Sequence, residues 1–420
     1  MTNVRQVEAT PGRWRGLLGS GAGIAVAMMV MNVATYGYQM VAARLLGPAQ
    51  YGGVASLMAL LMVVGVLQLG LQATAARRIS ATPHHVAQIE DVILRVTYRA
   101  GLALGLLLLV LAPAVWQLLR LDSIVPALLV AVTAVPLTIL GGQAGILQGE
   151  RRWLGLGAVY LAMGLSRLVL GSLAIVVRPT EGAAMAGVTL AMFVPAVVGW
   201  LLLRHPRKPG ERSETNDLRP TVREAARSSL SLLAFFLLSN IDIVIARNVL
   251  SSHDSGLYAG GLILTKAMLF LPQFVVVVAF PSMSTVGERR RALMRSLGSV
   301  LALGVVGVLA SWALADLAMI FIGGDDYADV RSRLWLFAVL GTLLAMLQLL
   351  VYSVLARQGT RSAYLVVLAV VCLVVAGTAL GTLDGLLTAV VVIDATLFAL
   401  LFTLSLWRMN HHREQEPATP

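Results

Sequence analysis

Charge and cysteine are what this sequence has least of. Only 13% of its 420 residues are charged, against about 25% in ordinary soluble proteins. That scarcity excludes a conventional soluble enzyme. The single cysteine, Cys372, can form no intrachain disulfide, and a lone cysteine in an apolar run acts as a small hydrophobe. No Cys/His cluster has metal-ligand spacing, so neither a metal nor a cofactor is expected. His84–His85 and His411–His412 fall in polar, solvated segments. Long polar loops are also missing. The longest loop predicted on the outer side is GGDDYADVRSR, which leaves no room for a catalytic platform outside a membrane. Membrane glycosyltransferases and polymerases are therefore disfavoured, and no catalytic residue is expected.

What fills the chain instead is apolar. Hydrophobic residues make up 58% of it, and its mean hydropathy is +0.83. Runs of about 20 apolar residues, enough to cross a bilayer, recur from end to end. Only helices or a closed barrel can span lipid. These runs are too long, and alternate too little, for barrel strands of about 10 residues. The expected fold is an all-α integral membrane protein. Twelve spans are predicted, at 18–46, 53–76, 100–119, 124–148, 154–177, 182–203, 228–250, 257–281, 297–322, 334–356, 363–384 and 386–407. The first lacks a small-residue cleavage site and is read as a span, not a signal peptide.

With the N-terminus inside, 24 of the 32 basic residues fall in cytoplasmic segments and six outside. This asymmetry predicts a multi-pass protein of the plasma membrane with both termini cytoplasmic. It also accounts for the formal charge of +11 through an anionic inner leaflet, with no need for nucleic acid.

The segment 205–227 is charged and carries three prolines, a linker composition. It divides the spans six and six. The expected organisation is an N-terminal lobe (1–204), a cytoplasmic linker (205–227), a C-terminal lobe (228–408) and a cytoplasmic tail (409–420). The halves echo each other: VAARLLGPAQYGGVASLM (41–58) answers VIARNVLSSHDSGLYAGGLIL (244–264). An even span number per half makes the repeats parallel, and such repeats place a site between two lobes, in a central cavity.

Polar residues inside the spans are few. Asn32, Thr35, Tyr36 and Gln39 share one face of span one, and Gln68 and Gln72 one face of span two. Tyr160, Gly164, Arg167 and Gly171 share a face of span five. The glycine faces Gly141/Gly145/Gly149 and Gly377/Gly381/Gly385 read as packing surfaces. Arg167 is costly near the midplane and points to a cavity. Within the spans the acids are Asp242, Asp316 and Asp394, all in the second half, with Asp384 at a span end. The stretch LLSNIDIVIARNVL (237–250) holds Asn240, Asp242 and Arg247. Asp242 and Lys266 lie at matching depths of about 12 Å on consecutive spans. Two arrangements follow: an ion pair, which serves only structure or also coupling, or one shared aqueous cavity. Arg247, three residues from the span end, is expected to snorkel to the interface.

In order along the chain come ARLLGPAQYGGVASL, QGERRWLGLG, NIDIVIARNVLSSHDSGLYAGGLILTKAMLFLPQFVVVVAFPSMS and FIGGDDYADVRSRLWLFAVLG followed by LARQGTR. This ordered set, over 40–360, resembles the O-antigen and polysaccharide flippases of the multidrug/oligosaccharidyl-lipid/polysaccharide (MOP) exporter superfamily. The resemblance implies two six-helix lobes around a cavity that alternates between cytoplasmic and outer access. It implies a polyprenyl-pyrophosphate-linked oligosaccharide as cargo, with membrane lipids and polysaccharide-assembly enzymes as partners. It implies that cationic cavity residues receive the pyrophosphate. The matching positions are Arg167, Lys266 and Arg44, with Gln39, Asn32 and Tyr36 beside them. The drug-exporting branch commonly uses a first-lobe carboxylate, which is absent from the predicted spans. A cation-coupled drug antiporter of the same fold is the second reading, and a membrane enzyme or assembly scaffold the third.

Overall fold

The computed structural model describes residues 21–204, 213, 217–269, 289–355 and 360–411, and these form helices joined by short turns. In the first half they are α1 (Gly21–Val64), α2 (Val66–Ala81), α3 (Val86–Leu118), α4 (Val125–Gly149), α5 (Trp153–Ser166), α6 (Ser172–Val177) and α7 (Glu181–Leu203). In the second they are α8 (Leu218–Leu238), α9 (Ile241–Val249), α10 (Ser252–Leu269), α11 (Arg289–Ala313), α12 (Ala315–Ile322), α13 (Leu334–Leu355), α14 (Thr360–Leu380) and α15 (Leu383–His411). Among the described residues each of the twelve expected spans coincides largely with helix, the first described from Gly21, the eighth as far as Leu269 and the tenth as far as Leu355. The chain is a multi-pass, all-α membrane protein.

Local chemistry explains where the helices break. α1 carries the first span and opens the second, and Gly47 divides it with φ 67° and ψ 171°. A Cβ at Gly47 meets nothing within 4 Å, so backbone angle, not space, selects glycine there. Pro48 follows and has no N–H to continue the ladder. Between α5 and α6 the chain widens into a π-helical turn at Arg167–Gly171. Thr180 starts α7 by accepting the Ala183 N–H at 3.2 Å, an ordinary N-cap.

Three expectations need correction. Residues 218–227, placed in the linker, are the first ten of α8. Their Arg and Glu residues are compatible with helix, and Glu224 is tied to α2 by Arg77 and by Arg78 Nε at 2.8 Å. The expected seventh span is not one rod, because α8 and α9 meet at a 41° bend across Ser239–Asn240. At the other end, α15 runs past 408 to His411.

Glycine lets the first-half helices approach closely. A Cβ on Gly141 would lie 2.4 Å from the Gln68 carbonyl oxygen, and one on Gly145 2.5 Å from that of Gln72. Gly149 meets the Ile79 side chain in the same way. This face of α4 therefore sits on the α2 backbone. In the second trio Gly377 packs against Ile245 of α9 and Gly385 meets only Leu380 and Thr382 beside the turn, whereas Gly381 has φ +56° and closes that turn. Gly145→Val is expected to destabilise by about 3 kcal/mol, the upper end for overpacking, because backbone cannot rotate aside. Gly182→Ala, where a Cβ meets nothing, should be nearly neutral. Thermal unfolding in detergent compares the two.

Across the halves, α1 packs on α10, and α8 touches both α2 and α14. The linker-side face is pinned by Glu224 and by Gln88, whose Nε2 donates to the Ser213 carbonyl at 2.9 Å. The opposite face holds the Gly47 break of α1, the ends of α3 and α9 and the start of α7.

Candidate substrate cavity

The break in the seventh span is built from cap-forming residues. Ser239, Asn240 and Asp242 are all types that favour helix ends over helix interiors. α8 stops at Leu238, and Asn240 leaves the helical region with φ −141°. The Asn240 Nδ2 donates back to the Phe236 carbonyl at 2.8 Å and to Ser239 Oγ at 3.0 Å. Its Oδ1 accepts from Lys266 Nζ at 2.9 Å, and the Ser239 carbonyl accepts from the same ammonium at 2.6 Å. Lys266 thus sits at the negative end of α8. Asp242 lies in the first turn of α9, at its positive end. Asp242 Oδ1 accepts the Ile243 N–H at 2.9 Å, and Oδ2 accepts from Tyr258 Oη at 3.0 Å. Each helix end carries roughly half an elementary charge. The broken helix therefore supplies separate, complementary environments for the two ions.

Among the described residues no ion pair joins Asp242 to Lys266, so the expected direct pair is not formed. Both instead line one cavity between α1 and the α9–α10 pair, with about 500 Å³ of empty space including its open mouth. Gln39, Tyr38 and Tyr51 face it from α1, Asn240 stands beside Lys266, and Met58, Met62 and Leu262 make its apolar wall. An ammonium has three donors, and the bonds to Ser239 and Asn240 use two. The cavity can thus offer one remaining Lys266 N–H, amide and phenol groups, and a greasy wall.

Other expected site residues lie elsewhere. Arg167, Arg44, Asn32 and Tyr36 do not line this cavity. Arg44 is exposed near the end of the α1 segment before Gly47. Asn32 and Tyr36 are partly buried on α1, about two turns and one turn from Gln39. Arg167 opens the π-helical turn on a face that packs against α1: Gly164 meets the Met31 backbone, and Gly171 meets the Tyr38 ring. Tyr38 also lines the cavity, so Arg167 belongs to the wall behind it. Its Nε is sealed from solvent and meets no acceptor among the described residues. π-turns are rare and frequent at functional sites. The polar faces of spans two, four and five converge nearby, where Gln72 Nε2 donates to Gln148 Oε1 at 2.9 Å and to Tyr160 Oη at 2.8 Å.

Four features escaped the sequence reading. Ser239 holds Lys266 through its carbonyl, which no side-chain pattern reveals. Tyr258 holds Asp242, and Tyr51 lines the cavity. These two tyrosines are the matching residues of the repeated loop, and that echo was their signal. Glu181, just outside the expected sixth span, is only 2% exposed and lies 3.5 Å from Arg247. Arg247 is itself only 3% exposed, so it does not snorkel: first-half backbone covers the place where lipid was expected. Asp316 and Asp384, by contrast, pair with Arg331 and Arg333 near the surface.

Comparison with known proteins places this architecture. A family model described as Polysaccharide biosynthesis protein matches residues 18–287. No curated protein matches the chain. Among solved structures, the inward-facing conformation of a multidrug resistance MATE family transporter of the MOP superfamily aligns with TM-score 0.73 at 14% identity, covering 93% of this chain and 99% of that one. An outward-facing conformation of such a transporter gives 0.58 at 17% identity, covering 95% and 99%. A MOP superfamily transporter from Pyrococcus furiosus, reported with a binding pocket of reverse polarity, gives 0.56 at 16%, covering 96% and 99%. The chain belongs to the polysaccharide biosynthesis protein family and has the fold of the MOP superfamily transporters.

Proposed function

We propose that the protein moves a polyprenyl-pyrophosphate-linked oligosaccharide from the cytoplasmic to the outer leaflet of the plasma membrane by alternating access of the interlobe cavity. The observation that carries this reading is Lys266, a membrane-depth cation held by two neutral acceptors at a broken helix, with a donor left over. A pyrophosphate oxygen matches that donor, since Lys binds phosphate as a point charge. Gln39, Asn240 and Tyr51 suit sugar hydroxyls near the headgroup, and the methionine wall suits the first isoprene units. Arg167 adds positive potential from behind Tyr38. The family match over 18–287 agrees with a glycan-related cargo.

A second reading, drug antiport in the same fold, draws on the multidrug transporters it resembles. Asp242 and Lys266 both line the cavity, and Arg167 behind Tyr38 tips the balance to positive, which weighs against lipophilic cations as cargo.

The test is reconstitution in proteoliposomes. A pyrophosphate diester carries about two negative charges, so moving it outward from an inside-negative compartment releases about 4–5 kcal/mol per 100 mV. A potassium–valinomycin potential, negative on the donor side, should speed translocation of the lipid-linked oligosaccharide at equal pH and without sodium. Translocation that is absent, alongside proton- or sodium-driven efflux of a cationic dye, would establish the antiport reading instead.

A further inference from the structure

Arg247 does not line the cavity, yet it is buried with its guanidinium directed at acceptors on every side. A guanidinium has five N–H donors, and five bonds are formed. Nε donates to the Leu119 carbonyl at 2.9 Å, and Nη2 to the Arg120 carbonyl at 2.8 Å and to Glu181 Oε1 at 3.5 Å. Nη1 donates to the Ala49 carbonyl and to Ser255 Oγ, both at 3.3 Å. Four of the five acceptors belong to the first half, from three separate places: the turn after Gly47, the end of α3 and the start of α7. Only Ser255 is on the same side as Arg247.

The surroundings close the same seam. Asn248 Nδ2 donates to the Leu118 carbonyl at 2.6 Å, and Tyr327 Oη to the Ala43 carbonyl at 3.2 Å. Gly52 and Gly256 let the loops meet: a Cβ on Gly52 would lie 3.2 Å from the Gly256 backbone. Arg120 holds φ 46°, a costly conformation for a side-chain-bearing residue, while its carbonyl accepts from Arg247. A buried, saturated cation does not survive partial separation, because each lost acceptor leaves charge unpaired in a dry seam. Such a cation favours a seam that is either closed or fully open over one that is partly separated.

We propose that Arg247, with Glu181 and the Leu119–Arg120 carbonyls, is the latch that holds the lobes together on the face away from the linker, and that its release opens the cavity to the outside. The basic-residue asymmetry makes this the outer face. The inference does not depend on the identity of the cargo.

The test reads accessibility without any substrate. Cys372→Ala removes the single native thiol, and Ala55→Cys places a reporter in the cavity lining. A membrane-impermeant maleimide is added to intact cells, and the reporter is also labelled in everted vesicles. The parent should be protected from outside. Arg247→Ala and Glu181→Gln should each raise outside labelling, the former on the order of tenfold or more, as expected for lost charge-assisted bonds. Arg247→Lys, with three donors, should fall between. A parent already labelled freely from outside overturns the latch. So does unchanged labelling of folded Arg247→Ala. Should Arg247→Ala fail to fold, Glu181→Gln decides alone, and unchanged outside labelling there rejects the proposal.

Discussion

Lys266→Met is expected to lower transport of the lipid-linked oligosaccharide by about 10- to 100-fold, the range for losing a charge-assisted hydrogen bond. Two effects combine. The cavity loses the one cation that lines it among the described residues, and the Ser239 carbonyl and Asn240 Oδ1 lose the ammonium they share. The second effect loosens the α8–α9 bend, so stability falls as well. Asp242→Asn should be milder, because an amide oxygen still accepts the Ile243 N–H and only the contact to Tyr258 Oη is compromised. The double variant distinguishes two architectures. With an ion pair, losing both partners costs less than losing one. With separate holders at two helix ends, the stability losses add, within about 0.5 kcal/mol. Chemical or thermal unfolding of the four proteins in detergent measures this directly. A double variant more stable than Lys266→Met alone would restore the ion pair and remove the broken helix as the reason these charges are tolerated.

That bend also shows how far sequence reasoning reached. Twelve apolar runs were legible because lipid imposes length and helicity on any span. The α4 glycine face was legible as a packing surface because close backbone approach requires small residues at helical spacing. Ser239, Asn240 and Asp242 form a cluster of cap-type residues inside an apolar run, and that cluster is a helix-break signal in its own right. Reading the run by hydropathy alone turned it into one rod, and one rod left Asp242 with Lys266 as its nearest available partner. The Arg247 seam could not be reached at all from spacing. Its acceptors are mainly backbone carbonyls, and they come from residues 49, 119 and 120. Backbone acceptors carry no sequence signature, and their meeting depends on how the two halves of the chain pack together. Snorkelling was the correct expectation for an arginine facing lipid, but first-half backbone occupies that place.

Arg167 should show stability and activity moving in opposite directions. It costs about 3 kcal/mol to place an arginine at a bilayer midplane on insertion scales, and here the sealed Nε has no acceptor to offset that. Arg167→Met keeps much of the side-chain volume and removes the charge together with its unpartnered Nε. Stability should therefore be unchanged or raised by up to about 3 kcal/mol. Transport should nonetheless fall by about tenfold or more, because the positive potential behind Tyr38 is lost just where a pyrophosphate would be received. Arg167→Lys should keep part of the activity, as a point charge without the planar fork. The informative measurement is paired: melting temperature of the purified protein, and translocation of the lipid-linked oligosaccharide in proteoliposomes. A stable Arg167→Met protein with full transport would leave the π-helical turn at 167–171 without a role in cargo binding. A large drop in melting temperature would make Arg167 a structural residue of the α1–α5 contact. Only a stable but inactive variant fits a charge that the fold maintains at a cost for the sake of its cargo.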